Sequence, residues 1–110
     1  MVRYVPDRGD IVWLQFNPQS GHEQALKRPA LTLSPKAYNQ KVGLAIFCPV
    51  TNQEKGYPFE VKVNGSKIGG VILADQVKSL DWRIREAEFI VKAPSKVINE
   101  VIGLLKTLIS

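Results

Sequence analysis

The stretch Phe89-Ile90-Val91-Lys92-Ala93-Pro94-Ser95-Lys96-Val97-Ile98-Asn99-Glu100-Val101-Ile102-Gly103-Leu104-Leu105-Lys106-Thr107-Leu108-Ile109 changes its hydrophobic period part-way along. Phe89 to Val91 is a short apolar run of strand type. Beyond Pro94, the apolar residues Val97, Ile98, Val101, Ile102, Leu104, Leu105, Leu108 and Ile109 recur at helical spacing. Proline suits a first helical position, where the N–H it lacks has no intrahelical partner. The spacing therefore predicts a helix of about four turns with a wide apolar face. Gly103 lies inside it and weakens it by roughly 1 kcal/mol relative to alanine. Two uses of the apolar face stand open: completing the core, or forming a dimer.

Everything upstream reads as strands and turns. Ile11 to Phe16 is apolar except for Gln15, a mostly buried strand halted by Asn17-Pro18-Gln19-Ser20-Gly21. His22 to Arg28 is polar and aperiodic, which predicts a loop. Pro29 to Ser34 reads as a second strand, with the proline at its start. Ser34-Pro35 can open a helical turn through Asn39, with Ser34 as the cap. Leu44 to Val50 reads as a central strand. Phe59-Glu60-Val61-Lys62-Val63 alternates apolar and charged residues, which predicts one wet face. Asn64-Gly65 and Gly69-Gly70 are turn signals, and Val71 to Ala74 is a further buried strand. Short strands followed by one helix predict a mainly β fold: a small, partly open, SH3-like barrel carrying a C-terminal helix. With 110 residues and no linker or repeat, residues 1–110 are expected to form a single domain.

Composition narrows the function classes. Hydrophobic residues make up 45% of the chain, too many for a disordered protein. Fifteen Lys and Arg against ten Asp and Glu give a net charge of +5, which favours polyanions or acidic partners. Cys48, the one cysteine, sits in an apolar run and reads as core; one Cys and the one His do not make a zinc site. No metal or other cofactor is expected. Nothing approaches the roughly 20 apolar residues of a membrane span, and the first residues carry no apolar signal core. A cytoplasmic protein is the expectation.

Three polar clusters interrupt the strands: Gly21-His22-Glu23-Gln24-Ala25-Leu26-Lys27-Arg28-Pro29, Thr51-Asn52-Gln53 after one strand, and Asp75-Gln76 after another. Polar groups at strand ends can converge on one rim of a barrel. Such a rim suits RNA cleavage. A carboxylate, Glu23 or Asp75, can take the proton of a 2′-hydroxyl. Arg28 can grip two phosphate oxygens with its planar, permanently charged fork. Thr51 can donate to the same phosphate. His22 or Arg28 can serve the leaving 5′-oxygen. Each residue also has an ordinary use. Arg28 and His22 can be plain surface groups, Glu23 and Lys27 a solvated charge pair, Thr51 a strand cap and Asp75 a turn organiser. On these residues alone, a basic barrel that only binds fits as well.

Several longer pieces carry more. Gly9-Asp10-Ile11-Val12-Trp13, Glu23-Gln24 with Arg28-Pro29, Leu33-Ser34-Pro35 with Tyr38-Asn39, Pro49-Val50-Thr51, Lys55-Gly56-Tyr57-Pro58-Phe59-Glu60-Val61 and Leu73-Ala74-Asp75-Gln76-Val77-Lys78-Ser79 together make the chain resemble the MazF/PemK/Kid family of toxin endoribonucleases, its MazF branch most of all. The resemblance spans almost the whole chain, from Tyr4-Val5-Pro6-Asp7 onward. It implies an SH3-like barrel that dimerises with itself. It implies metal-independent cleavage of single-stranded mRNA at a short motif, leaving a 2′,3′-cyclic phosphate and a 5′-hydroxyl. It also implies a cognate acidic, MazE-like antitoxin.

The resemblance ranks the residues too. In the MazF branch, the arginine and threonine matching Arg28 and Thr51 are the principal catalytic pair, with the glutamate matching Glu23 implicated. The Kid branch uses a histidine, an arginine and an aspartate. His22 and Asp75 match two of these and stand as supporting candidates, but the Kid arginine falls at Leu73, which cannot serve. Gln24, Lys27, Gln53, Lys55, Tyr57 and Gln76 are the expected RNA-contacting residues. One departure is Leu26, where many members have a glycine. Two other readings are a CcdB-like toxin that binds gyrase without cleaving anything, and a non-catalytic RNA-binding barrel that uses exposed aromatics such as Tyr57.

Overall fold

Two successive residues, Ile11 and Val12, are both fully buried. Neighbouring strand residues point to opposite faces, so a sheet that buries both must be covered on both sides. The structure is a computed structural model that describes residues 4–16 and 27–110. Its elements run β1 (Asp10–Gln15), β2 (Lys27–Thr32), α1 (Lys36–Val42), β3 (Leu44–Thr51), β4 (Glu60–Asn64), β5 (Gly69–Leu73), β6 (Lys78–Asp81), β7 (Glu88–Lys92) and α2 (Ser95–Ile109). All strand pairs are antiparallel. The sheet curls in the order β4-β5-β3-β2-β1-β7, with β6 also on β3, giving a mainly β half-barrel with a C-terminal helix.

β3 is the pivot. Leu44 to Phe47 pair with β6, and Val50 and Thr51 pair with β5. Pro49, which has no N–H to give, lies in the gap where that edge changes partner. One core gathers Ile11, Leu31, Cys48, Val50, Val61 and Ile72 with Val101 of α2. The other gathers Val12, Leu14, Ala30, Ala45 and Phe47 beneath Val5 and Trp82. This double cover is why the middle residues of β1, β2 and β3 read as apolar runs without alternation. β4 is covered on one face only and alternates as expected: Val61 and Val63 buried, Lys62 and Asn64 exposed. The apolar face of α2 does complete the core, through Val101, while Leu108 and Ile109 remain exposed. No described helix is long and apolar enough to cross a membrane.

The structure corrects several sequence expectations. β2 begins at Lys27 rather than Pro29, because Gln15 and Leu14 pair with Lys27 and Arg28. Gly69-Gly70 is no turn; it opens β5, opposite Asn64 and Val63. β6, four residues long, gave no periodic signal. α1 runs past Asn39 to Val42, and Ser34 does not cap it. The Ser34 hydroxyl instead donates to Asn39 Oδ1 at 2.6 Å and accepts the Ile46 N–H at 2.8 Å. The cap comes from Asp7, whose Oδ1 accepts the N–H of Lys36, first residue of α1, at 2.9 Å. Asn39, fully buried, then donates to the carbonyls of Pro6 (2.8 Å) and Ser34 (3.0 Å) and accepts the Trp82 indole N–H on its own carbonyl (2.9 Å). These bonds tie the segment of Pro6 and Asp7, α1 and Trp82 to one another.

Candidate active site

Strand periodicity collects the polar residues. Side chains two apart share a face, and Arg28 with Ala30, Phe47 with Pro49 and Thr51, and Lys78 with Leu80 all line one cleft of about 640 Å³. Register completes the arrangement. The β2–β3 ladder pairs Ala30 with Pro49. Counted two residues beyond the ladder, the same register sets Arg28 against Thr51, and both line the cleft. Gln53, Lys55, Tyr57, Glu60 and Gln76 close the remaining walls. The size is that of an ordinary small-ligand or nucleotide site.

Within the cleft, Arg28 stands over the Phe16 ring, its guanidinium carbon 6.0 Å from the centroid. Thr51 Oγ1 accepts the Gln53 N–H at 3.2 Å, which uses a lone pair and leaves the hydroxyl hydrogen to be donated into the cleft. The segment after Thr51 is tied by two carboxylates. Glu60 accepts the N–H groups of Lys55 (3.0 Å), Gly56 (3.0 Å) and Tyr57 (3.2 Å). Asp75 Oδ2 accepts the Tyr57 hydroxyl at 2.5 Å. That bond, helped by some desolvation and the aspartate charge, raises the Tyr57 pKa, so the phenol holds its proton more firmly than a free tyrosine does. Burial, with the Asp75 charge adding to it, pushes the Cys48 thiol up to about 12, in keeping with a core residue.

The cleft thus unites Arg28, Thr51, Gln53, Lys55, Tyr57 and Gln76 from among the expected residues. Asp75 does not line it and reaches it only through Tyr57. Lys27, one residue off the face of Arg28, turns away to an ion pair with Glu88 at 2.9 Å. His22, Glu23, Gln24 and the atypical Leu26 lie outside the described residues. Sequence reasoning missed Phe16, Glu60 and Lys78. The alternation around Glu60 signals only a wet face. Lys78 stands two residues before Leu80 in an alternation too short to notice. Arg28, Lys55 and Lys78 give the cleft a cationic lining, fit for a phosphate-bearing strand.

Residues 7–109 match the family described as PemK-like, MazF-like toxin of type II toxin-antitoxin system. The chain is 56% identical over 85 residues to the endoribonuclease toxin MazF of Escherichia coli K12, covering 77% of each chain. It is 30% identical over 109 residues to the Escherichia coli endoribonuclease PemK, covering 94% of this chain and 82% of that one. Among solved structures, MazF of Deinococcus radiodurans superposes with a TM-score of 0.86 at 55% identity, covering 96% of this chain and 97% of the other. A MazE–MazF complex from the same organism gives 0.88 at 50% identity, covering 98% of both. With the family match running over residues 7–109 and the fold shared over nearly the whole chain, the chain belongs to the PemK-like, MazF-like toxins of type II toxin–antitoxin systems.

Proposed function

We propose that residues 1–110 form one toxin domain, a sequence-specific endoribonuclease that cuts single-stranded mRNA without a metal ion. The observation that carries this reading is the convergence of Arg28 and Thr51 in one cationic cleft, in a chain 56% identical to an endoribonuclease. The 2′-oxygen attacks the adjacent phosphorus while its proton passes to a base. The P–O5′ bond breaks and the 5′-oxygen takes up a proton. The products are a 2′,3′-cyclic phosphate and a 5′-hydroxyl. Negative charge builds on the non-bridging oxygens as the bond to O2′ forms, and there the Arg28 fork and the Thr51 hydroxyl act. Glu23 is the favoured base, with His22 as the group for the leaving oxygen. Gln24, Lys27, Gln53, Lys55, Tyr57 and Gln76 hold the strand.

The net charge of +5 suits both RNA and a cognate acidic, MazE-like antitoxin. The Deinococcus radiodurans MazF has been solved together with MazE, which supports the same partner chemistry here. The working form is a homodimer in the cytoplasm, where mRNA is found. Gyrase binding and non-catalytic RNA binding are not favoured, because the relatives named above are endoribonucleases. The test is incubation of the purified protein with a mixed RNA in excess EDTA, followed by end analysis. Discrete cuts with cyclic-phosphate ends are expected. Loss of all cleavage in EDTA would overturn the metal-free mechanism, and intact RNA under every condition would overturn the activity.

A further inference from the structure

Glu60 is the one carboxylate among the described residues that lines the cleft. A bare negative charge there would repel a phosphate. Its bonding accounts for its presence. Oε2 accepts the Lys55 N–H, and Oε1 accepts those of Gly56 and Tyr57, so three successive backbone donors converge on one side chain. Backbone donors grouped in this way form an anion-binding nest, here filled by the protein's own carboxylate. Gly56, at φ +76, supplies the bend that turns the three donors inward. The same loop is held at a second point, where Tyr57 donates to Asp75 at 2.5 Å and its ring lies 6.0 Å from that of Phe59.

We propose that Glu60, together with Asp75 acting through Tyr57, positions the loop from Gln53 to Phe59 as the wall that selects the bases beside the cut. The two carboxylates are positioning residues, not proton carriers. Three of the roughly four lone-pair sites of the Glu60 carboxylate already accept N–H donors. Asp75 Oδ2 is taken by Tyr57, and Oδ1 is buried. What the loop presents is suited to bases splayed from a single strand: the Tyr57 ring for stacking, and Gln53 and Lys55 for base edges and phosphate. The inference rests on the RNA-cleaving reading above.

The test uses fluorogenic RNAs carrying the preferred site and each single-base change of it, with kcat and KM measured separately. Glu60→Ala is expected to raise KM by about tenfold or more and to erode discrimination by a similar factor, with a much smaller change in kcat. Glu60→Gln, which keeps the shape and part of the acceptor set, should fall between wild type and alanine. It also serves if the alanine variant folds poorly. Asp75→Asn still offers an oxygen to Tyr57 and should restore most of the discrimination that Asp75→Ala loses. Hydrogen exchange at the Lys55, Gly56 and Tyr57 amides should quicken in both Glu60 variants. A collapse of kcat in Asp75→Asn or Glu60→Gln at unchanged KM would mean a role in proton transfer and overturn the proposal. Unchanged discrimination despite faster exchange would overturn it equally. Wild-type protein that cuts no RNA would instead sink the proposed function, and the exchange data would still show whether Glu60 holds the loop.

Discussion

A β-carbon on Gly70 would stand 2.3 Å from the carbonyl oxygen of Thr51. No real β-carbon tolerates that distance, and Gly70 also holds φ at +127, which other residues resist. The bare backbone lets β5 lie close against the end of β3, where Val71 pairs with Thr51. The candidate catalytic threonine is therefore seated on a glycine from a neighbouring strand. Gly70→Ala is expected to cost about 1–3 kcal/mol in backbone strain. By displacing Thr51 it should also lower kcat/KM for RNA about tenfold or more. Urea unfolding and a fluorogenic cleavage assay read the two effects. An alanine variant with wild-type stability and activity would contradict this seating.

Gly70 also shows where the sequence stopped being readable. A glycine pair signals a turn or a close backbone approach equally well, and the choice depends on Thr51, which lies nineteen residues earlier in the chain. The same limit hid the α1 cap. Ser34 looked like the local choice, but Asp7 does the capping, from a segment folded against the helix from far back in the chain. Legible features were those carried by long periodic runs: the apolar face of α2, the alternation of β4, and the unbroken strands now explained by two cores. Arg28 and Thr51 were visible as polar interruptions, but only the Ala30–Pro49 register brings them level. Lys27 and Arg28 differ in role for a reason no composition shows: strand period sends one to Glu88 and the other into the cleft.

Asp7 leads to a pH prediction. Its pKa is lowered, chiefly by the Lys36 N–H, against an opposing effect of burial, with the Arg8 N–H and nearby lysine charges adding to the lowering. A carboxylate whose folded pKa lies below its unfolded value, about 3.9 for an ordinary aspartate, contributes stability that is complete above that value. The contribution disappears as pH falls through the folded value. Asp7→Ala should cost about 1 kcal/mol at neutral pH, the scale of a lost helix cap. Asp7→Asn keeps an acceptor oxygen and does not titrate, so its stability should fall less than wild type's as pH drops below about 4. Urea midpoints from pH 7 to pH 2.5 measure both; parallel curves for wild type and Asp7→Asn would contradict the assignment.

Gly103 lies inside α2 and is exposed, with nothing within 4 Å of where a β-carbon would sit. Alanine there should add about 0.5–1 kcal/mol, because it narrows the unfolded ensemble and suits the helix. For a domain of this size that is a rise in Tm of about 3–6 °C. Calorimetry checks it. A fall in Tm would mean that a second protein surface packs on this side of α2, and light scattering on the variant would then show a weakened dimer.

Arg28 separates charge from geometry. It is exposed and rests over Phe16, so its removal should barely move stability, whereas cleavage should fall steeply. Loss of one preorganised charge stabiliser costs about 100- to 1000-fold, and Arg28→Ala is expected in that range with Tm nearly unchanged. Arg28→Lys keeps the charge but gives up the planar fork that can hold two phosphate oxygens at once. If Arg28 stabilises the pentacoordinate phosphorus through both oxygens, lysine should recover only part of the lost rate, and the recovery should appear in KM before kcat. If charge alone suffices, lysine should restore both. Alanine with near-wild-type kcat would remove Arg28 from the chemistry, leaving Thr51 and Glu23 to account for it.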